Sequence, residues 1–159
     1  IFLETLKACQ KLNYKKYIIY PNYDPGYKTI INSLNKIKYN KEKFVIFKNL
    51  IRQDFLKLVA NSSALIGNSS AGILESASLK IGAVNIGDRQ NLREKGKNVF
   101  DARYNHNDIL RQIKKAISIK KKIKNIKNLH GDGKSSQRIY SIIKKIEINK
   151  KILNKNTTY

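Results

Sequence analysis

Serine, glycine and carboxylate residues in the middle of the chain have the spacing of an anion-binding turn. The run Gly67-Asn-Ser-Ser-Ala-Gly-Ile-Leu-Glu75 follows a short apolar stretch, and apolar residues then recur at helical spacing at positions 73, 74 and 77. Ser69 and Ser70 are therefore predicted to lie at a strand-to-helix turn. Hydroxyls and unpaired backbone N–H groups at the positive end of a helix dipole hold phosphates. Glu75 lies just over one helical turn further on, where it can face the same ligand.

This turn on its own leaves a purely structural role open, because Asn, Ser and Gly are also ordinary N-cap and turn residues. Other polar turns follow the remaining apolar stretches of the chain. They lie at residues 21–26, 48–52 and 87–90. Since ligands of open α/β sheets bind at the carboxyl ends of the strands, we expect all four turns to share one edge.

The pattern that positions these turns alternates short strands with helices. Strands are predicted over residues 16–20, 44–47, 64–66, 82–86 and 98–100. Helices are predicted over residues 2–12, 53–60, 106–120 and 134–150, and another passes through Ile30, Ile31, Leu34 and Ile37. Fully apolar short strands in repeated strand–helix units indicate an α/β Rossmann-like domain, with a parallel sheet covered by helices on both faces.

Length and composition indicate one domain with a sizeable core. The chain has 159 residues, of which 41% are apolar. We expect this domain to cover residues 1–148 and a polar tail to cover 149–159. The sequence has no apolar run of eighteen residues and no leader pattern, so neither a membrane span nor a signal peptide is predicted. Cys9, the single cysteine, is interpreted as a small buried hydrophobe, which agrees with a reducing, cytoplasmic location.

The net charge of +22 is typical of proteins that bind nucleic acid or anionic membranes. The lysines, however, are spread along the chain among many Asn and Ile. Arginine, the residue suited to bidentate base and phosphate contacts, is rare. The densest basic run, residues 114–127, contains regularly spaced isoleucines and is predicted as a helix with a solvated basic face. We therefore expect no specific nucleic-acid partner, and the absence of a Cys, His and carboxylate cluster predicts no metal or other cofactor.

Four motifs together resemble the hydrolysing UDP-N-acetylglucosamine 2-epimerases. They are Pro21-Asn22-x-Asp24-x-Gly26, the run at 67–75, Gly87-x-Arg89-Gln90 and Gly131-Asp-Gly133, and the likeness is continuous over residues 67–99. Enzymes of this family have two Rossmann-like domains of the GT-B type that face each other across a cleft. This chain is similar to most of the second domain. The resemblance implies that the N-terminal domain is missing here and that the full-length protein is a homo-oligomer.

The resemblance also implies a UDP site. Ser69 and Ser70 would bind the diphosphate, and Glu75 would bind the ribose hydroxyls. Leu50 would contact the uracil through its backbone, while Asn22 and Arg89 would point into the cleft near the phosphate or the sugar. Structural roles stay open for these residues: Glu75 as a helix carboxylate, Arg89 as a surface arginine, and the Asn22 segment as a plain turn.

The implied reaction of the full-length protein is loss of UDP from UDP-N-acetylglucosamine, followed by addition of water to yield N-acetylmannosamine for sialic or nonulosonic acid synthesis. Proton abstraction would fall to residues outside this chain, so we expect the chain alone to be inactive. Arg89 is its candidate catalytic residue, because it would stabilise the departing diphosphate. Two positions depart from the family pattern: Ala83 replaces a usual proline, which should loosen the strand entry, and His130 replaces a common tyrosine. His130 and His106 are expected to be surface loop residues.

Three other functions stay open at this level. A non-hydrolysing 2-epimerase shares the fold but resembles a different sequence after residues 82–86. A GT-B glycosyltransferase would also bind a nucleotide sugar through a glutamate on a helix. A basic RNA-binding module would need glycine-rich aromatic strands or an arginine cluster, and its binding would weaken steeply with salt. The sequence leaves the identity of the sugar open.

Overall fold

The chain divides into two units, residues 1–129 and residues 130–159. The computed structural model describes residues 1–36 and 42–154. Position 37 of the second predicted helix and positions 155–159 of the predicted tail lie outside the described residues.

Parallel strands form the frame of the first unit. They are β1 (Lys16–Ile19), β2 (Phe44–Phe47), β3 (Leu65–Gly67), β4 (Ala83–Ile86) and β5 (Val99–Ala102). Strand β1 pairs with β2, and β4 lies between β3 and β5; every one of these pairings is parallel. The predicted α/β fold is confirmed. The described strands differ from the expected single sheet in forming two hydrogen-bonded groups, one of two strands and one of three.

Helices alternate with these strands, as parallel pairing requires crossover connections. They are α1 (Phe2–Gln10), α2 (Tyr27–Lys36), α3 (Arg52–Ala60), α4 (Ala71–Leu74) and α5 (His106–Ser118). Helix α5 begins at an N-cap asparagine, Asn105, whose side chain accepts the backbone N–H groups of Asn107 and Asp108. Within the described residues no helix is long and apolar enough to cross a membrane.

Strand β4 is buried along its whole length and has helices on both faces. Its side chains alternate between the faces. Val84 and Ile86 belong to the core cluster formed with residues of α1, α5 and β5, namely Ala8, Ala102, Ile109, Ile113 and Ala116. On the opposite face, the side chain of Ala83 lies 3.6 Å from where a Cβ on Gly72 of α4 would stand. A Cβ at position 72 would thus meet the strand at ordinary van der Waals distance, which shows how closely α4 packs on this face of β4.

The thiol of Cys9 packs against this same core cluster. Burial raises its pKa to about 11, because the charged thiolate would lose its solvation. Cys9 thus packs as a small hydrophobe, as interpreted, although it is partly and not fully buried.

Helix α4 is shorter than the apolar spacing predicted. It ends at Leu74, and the chain continues to Lys80 in turns. The Ser76 hydroxyl donates to the Gly72 carbonyl at 2.6 Å. The Ser76 backbone N–H donates to the Ala71 carbonyl at 3.2 Å, five residues back, where a regular α-helix would use the carbonyl four residues back. Serine hydroxyls compete in this way with the regular helix ladder. The predicted apolar face was right about burial, since Ile73 and Ala77 are both in the core, but wrong about helix length.

The basic run at 114–127 is not one helix. Helix α5 ends at Ser118, and short 3-10 turns follow at Ile119–Lys121 and Ile123–Asn125. Ile123 is fully buried, so this run contributes an apolar residue to the core of the first unit.

The second unit contains α6 (Ser135–Ile143) and α7 (Lys150–Leu153), where one helix over 134–150 was predicted. Helix α6 buries none of its residues. Because helices of this length owe most of their stability to the burial of an apolar face, the exposure of α6 explains its early end. The Gly-Asp-Gly motif precedes this helix. Asp132 binds both terminal guanidinium nitrogens of Arg138 and the Lys134 N–H, and these bonds lower the pKa of Asp132.

Candidate functional site

Two ion pairs join the loops that leave four different strands. Arg89, after β4, lies with its Nη2 atom 3.1 Å from Oδ2 of Asp24, after β1. Arg52, after β2, lies with its Nη1 atom 3.2 Å from Oε1 of Glu75, in the segment that follows β3. The four predicted turns therefore meet at one edge, as the parallel strands require. The pairs also bridge the two hydrogen-bonded groups of strands.

The Ser69–Ser70 turn lies at this edge, between β3 and α4. The Ser69 hydroxyl accepts the Ala71 N–H at 3.3 Å. The Ser69 carbonyl accepts the Gly72 N–H, and the Ser70 carbonyl accepts the N–H groups of Ile73 and Leu74. The turn therefore offers fewer unpaired amides than predicted, and α4, with four residues, is too short to supply a long helix dipole. Each serine hydroxyl still carries a hydrogen that can be donated, so the turn retains donors suited to an anion.

Glu75 presents one engaged and one unengaged oxygen. Its Oε1 atom pairs with Arg52, whereas its Oε2 atom is buried and makes no hydrogen bond within the described residues. A carboxylate oxygen without a donor is costly to bury, and ligand hydroxyls would satisfy it. The side chain as a whole is one-quarter exposed, whereas this oxygen is covered, so the carboxylate must turn outward to make such a contact.

The loop that carries Arg89 has a backbone shape that only glycine accommodates easily. Gly87 has a φ of +80°, and a Cβ at this position would overlap the Tyr104 ring. The Tyr104 hydroxyl accepts the Asp88 N–H at 3.2 Å. The contact with Tyr104 thus fixes the start of the loop immediately before Arg89.

Gln90 joins this loop to the serine turn. Its side chain is buried, and its Nε2 atom donates to the Asn68 carbonyl at 3.0 Å. The sequence motif includes Gln90, but residue types gave it no role; its burial is visible only in the folded chain.

The remaining predicted site residues lie on the same loops. Asn22 is exposed, two residues before Asp24. The Leu50 backbone N–H already bonds to the Asn49 side chain at 2.9 Å, so its carbonyl is the group left for a base edge. The roles of Asn22 and Leu50 stay predictions.

The two histidines differ in their surroundings. His106 is the first residue of α5 and not a loop residue: its Nδ1 atom lies 2.9 Å from Oε2 of Glu4, which also accepts its backbone N–H. Bonds from Lys7 and then from His106 lower the pKa of Glu4 to about 2. His130 is exposed, in agreement with its prediction as a surface residue.

A groove of about 1040 Å³ lies beyond this loop, at the carboxyl ends of β4 and β5. It is lined by groups of both charges, including Asp101, Asp108, Arg103 and Arg111, and by none of the serine-turn residues. Across residues 1–36 and 42–154, no group of three or more His, Cys, Asp or Glu side chains is arranged to hold a metal ion.

The sequence profile of the UDP-N-acetylglucosamine 2-epimerases matches residues 1–144. The chain belongs to this family. It is 37% identical over 158 residues to the UDP-N,N'-diacetylbacillosamine 2-epimerase (hydrolyzing) of Legionella pneumophila, an alignment that covers 99% of this chain and 41% of that protein. It is 35% identical over 103 residues to the UDP-N-acetylglucosamine 2-epimerase of Neisseria meningitidis serogroup B, covering 65% of this chain and 27% of that protein.

A solved structure agrees with this membership. The crystal structure of Methanocaldococcus jannaschii UDP-GlcNAc 2-epimerase in complex with UDP-GlcNAc and UDP matches with a TM-score of 0.64 and 25% identity. The match covers 89% of this chain and 41% of the solved one. The chain thus spans about two-fifths of the length of the Legionella and Methanocaldococcus 2-epimerases.

The family departure at Ala83 has a different effect from the one predicted. The Ala83 N–H donates to the Asn98 carbonyl at 2.9 Å, a bond that proline cannot make. Alanine therefore ties the entry of β4 to its neighbour, and the expectation of a looser strand entry is wrong.

Proposed function

We propose that this chain is the UDP-binding half of a hydrolysing UDP-sugar 2-epimerase. The observation that carries the proposal is the meeting of four strand-end loops around Ser69, Ser70 and Glu75, in a chain that belongs to the 2-epimerase family. Two ion pairs and one buried amide bond hold these loops together before a ligand arrives. Preorganisation of this kind lowers the cost of binding.

Each role follows from the chemistry of its group. The Ser69 and Ser70 hydroxyls donate to the diphosphate, and the unengaged oxygen of Glu75 accepts ribose hydroxyls in charge-assisted bonds. The Leu50 backbone contacts the uracil, and Asn22 lies near the phosphate or sugar. In this assignment the loop after β2 binds the base, and the segment after β3 binds the ribose and the diphosphate.

Arg89 acts on the leaving group. Its pair with Asp24 is more than half exposed at both ends, so exchanging that partner for a phosphate costs little. In the full-length enzyme Arg89 then stabilises the negative charge that develops on the departing diphosphate. The groups that move the C2 proton are expected on the remaining part of the protein, and this chain alone binds UDP without turning over substrate.

The sugar has two candidates. UDP-N-acetylglucosamine, which would yield N-acetylmannosamine and UDP, is supported by the family and by the ligands of the Methanocaldococcus structure. UDP-N,N'-diacetylbacillosamine is supported by 37% identity, over nearly the whole chain, to a relative named for that sugar. Incubating full-length protein with each sugar nucleotide and assaying free UDP identifies the substrate.

Calorimetry of the chain with UDP and UMP tests the binding site. We expect UDP to bind more tightly than UMP, because the second phosphate meets the serine turn and Arg89. Ser69→Ala and Ser70→Ala should each weaken UDP by about 3- to 10-fold, the value of one hydrogen bond. The matched control is Ser118→Ala, at the end of α5. Equal affinity for UDP and UMP in the parent, or equal losses in the control, would refute a diphosphate site at these serines.

A further inference from the structure

A single buried side chain connects the two loops on which the diphosphate contacts depend. Gln90 is 4% exposed, and its Nε2 atom donates to the carbonyl of Asn68 at 3.0 Å. Its Oε1 atom is buried and makes no hydrogen bond within the described residues. The Gln90 side chain therefore makes one hydrogen bond within the described residues, which it donates to the residue just before Ser69.

That bond sets the direction of a peptide group. The peptide between Asn68 and Ser69 is planar and trans, so a carbonyl held toward Gln90 directs the Ser69 N–H to the opposite side. Accepting a hydrogen bond at the carbonyl also polarises the N–H of the same peptide group. Without Gln90 this peptide could rotate, and both the Ser69 N–H and the Ser69 side chain would change direction.

The same side chain anchors the loop that carries Arg89. The loop has an anchor on each side of this arginine. Before it, the Asp88 N–H donates to the Tyr104 hydroxyl; after it, Gln90 holds the Asn68 carbonyl. The two anchors fix the base of the Arg89 side chain relative to Ser69, although Asn68 and Gln90 are 22 residues apart in sequence.

We propose that Gln90 is a positioning residue that couples the two parts of the diphosphate site, aiming the Ser69 peptide N–H and fixing the Arg89 loop through one bond. This inference rests on the proposed binding of UDP at Ser69 and Ser70. It adds that the preference for a diphosphate over a monophosphate depends on a side chain that does not itself touch the ligand.

The test compares Gln90→Met with Gln112→Met. Methionine keeps the length of the side chain and removes the donor. Gln112 is the matched control, since it is also buried, at 8% exposure, but lies on α5 and bonds only weakly to Asp108 at 3.4 Å. Calorimetry with UDP and UMP should give a UDP affinity about 3- to 10-fold weaker in Q90M and a smaller change for UMP. The ratio of the two affinities should therefore fall in Q90M and stay unchanged in Q112M.

A second readout needs no ligand. The ¹⁵N chemical shift of the Ser69 amide reports the hydrogen bond on the carbonyl before it, so it should move in Q90M and not in Q112M. If Q90M does not fold, Gln90→Leu removes the same donor with a smaller apolar side chain and should produce the same two changes.

The outcomes separate this inference from the proposed function. A parent chain with no preference for UDP over UMP refutes the diphosphate site, and the coupling with it. A parent with that preference, together with a folded Q90M that retains it, refutes the role of Gln90 alone. Equal losses in Q90M and Q112M, or an unmoved Ser69 shift, would show that Gln90 merely fills the core.

Discussion

Glu75→Gln separates the structural role of this carboxylate from its proposed role in binding ribose. In the free chain its Oε1 atom pairs with Arg52, whose side chain is 71% exposed. An ion pair this exposed contributes at most about 1 kcal/mol, so the free energy of unfolding should change by less than that amount. The buried Oε2 atom has no partner in the described residues, and it is the one that ribose hydroxyls would satisfy. Losing hydrogen bonds to a charged group should weaken UDP binding by about 1–2 kcal/mol, or roughly 5- to 30-fold.

Calorimetry with UDP and 2′-deoxy-UDP measures this effect, and urea unfolding measures stability. The parent should prefer UDP to the deoxy nucleotide, and the variant should lose most of that preference. Glu94→Gln is the matched control, because Glu94 is an exposed carboxylate outside the proposed contacts. If Glu75→Gln bound UDP as the parent does, or if the parent bound both nucleotides equally, the assignment of Glu75 to the ribose would be wrong.

Three further predictions concern stability. Asn98→Ala should lower the free energy of unfolding in urea by about 2–4 kcal/mol, because the fully buried Asn98 amide donates to Ser76 and Ile81, whereas exposed Asn91→Ala should change it by less than about 0.5 kcal/mol. The pKa of Glu4 is lowered to about 2 from 4.5, so its contribution is complete above pH 4.5 and is lost as the pH falls through 2; acid unfolding of Glu4→Gln should lack this component. The melting temperature should rise with moderate salt, since screening reduces the self-repulsion of a +22 chain; no rise would contradict this electrostatic argument.

The order of elements was predictable because it depends on local properties. Alternating apolar stretches and polar turns predicted five strands, and each described strand lies within two residues of its predicted bounds. The parallel arrangement then placed the polar turns at one edge, because every such strand ends on the same side. The types and spacing of Ser69, Ser70 and Glu75 predicted an anion-binding turn, and Arg89 became a candidate through the resemblance to the 2-epimerases.

Element lengths were less predictable where side chains compete with the backbone. Helix α4 stops after four residues because the Ser76 hydroxyl and amide bond within the turn, and helix α6 ends early because none of its residues is buried. Apolar periodicity reports which residues are buried, and it does not report whether the ladder of backbone bonds continues.

Sequence alone therefore determined the fold class, through periodicity and turn composition, and its motifs predicted the candidate site residues. Tertiary structure decided how these residues are held. The Arg89–Asp24 pair joins positions 65 apart in sequence, and the Arg52–Glu75 pair joins positions 23 apart. The burial of Gln90 against Asn68 likewise depends on how two loops approach each other. Such contacts arise from the packing of separate strand–helix units, and no local pattern of residues encodes them.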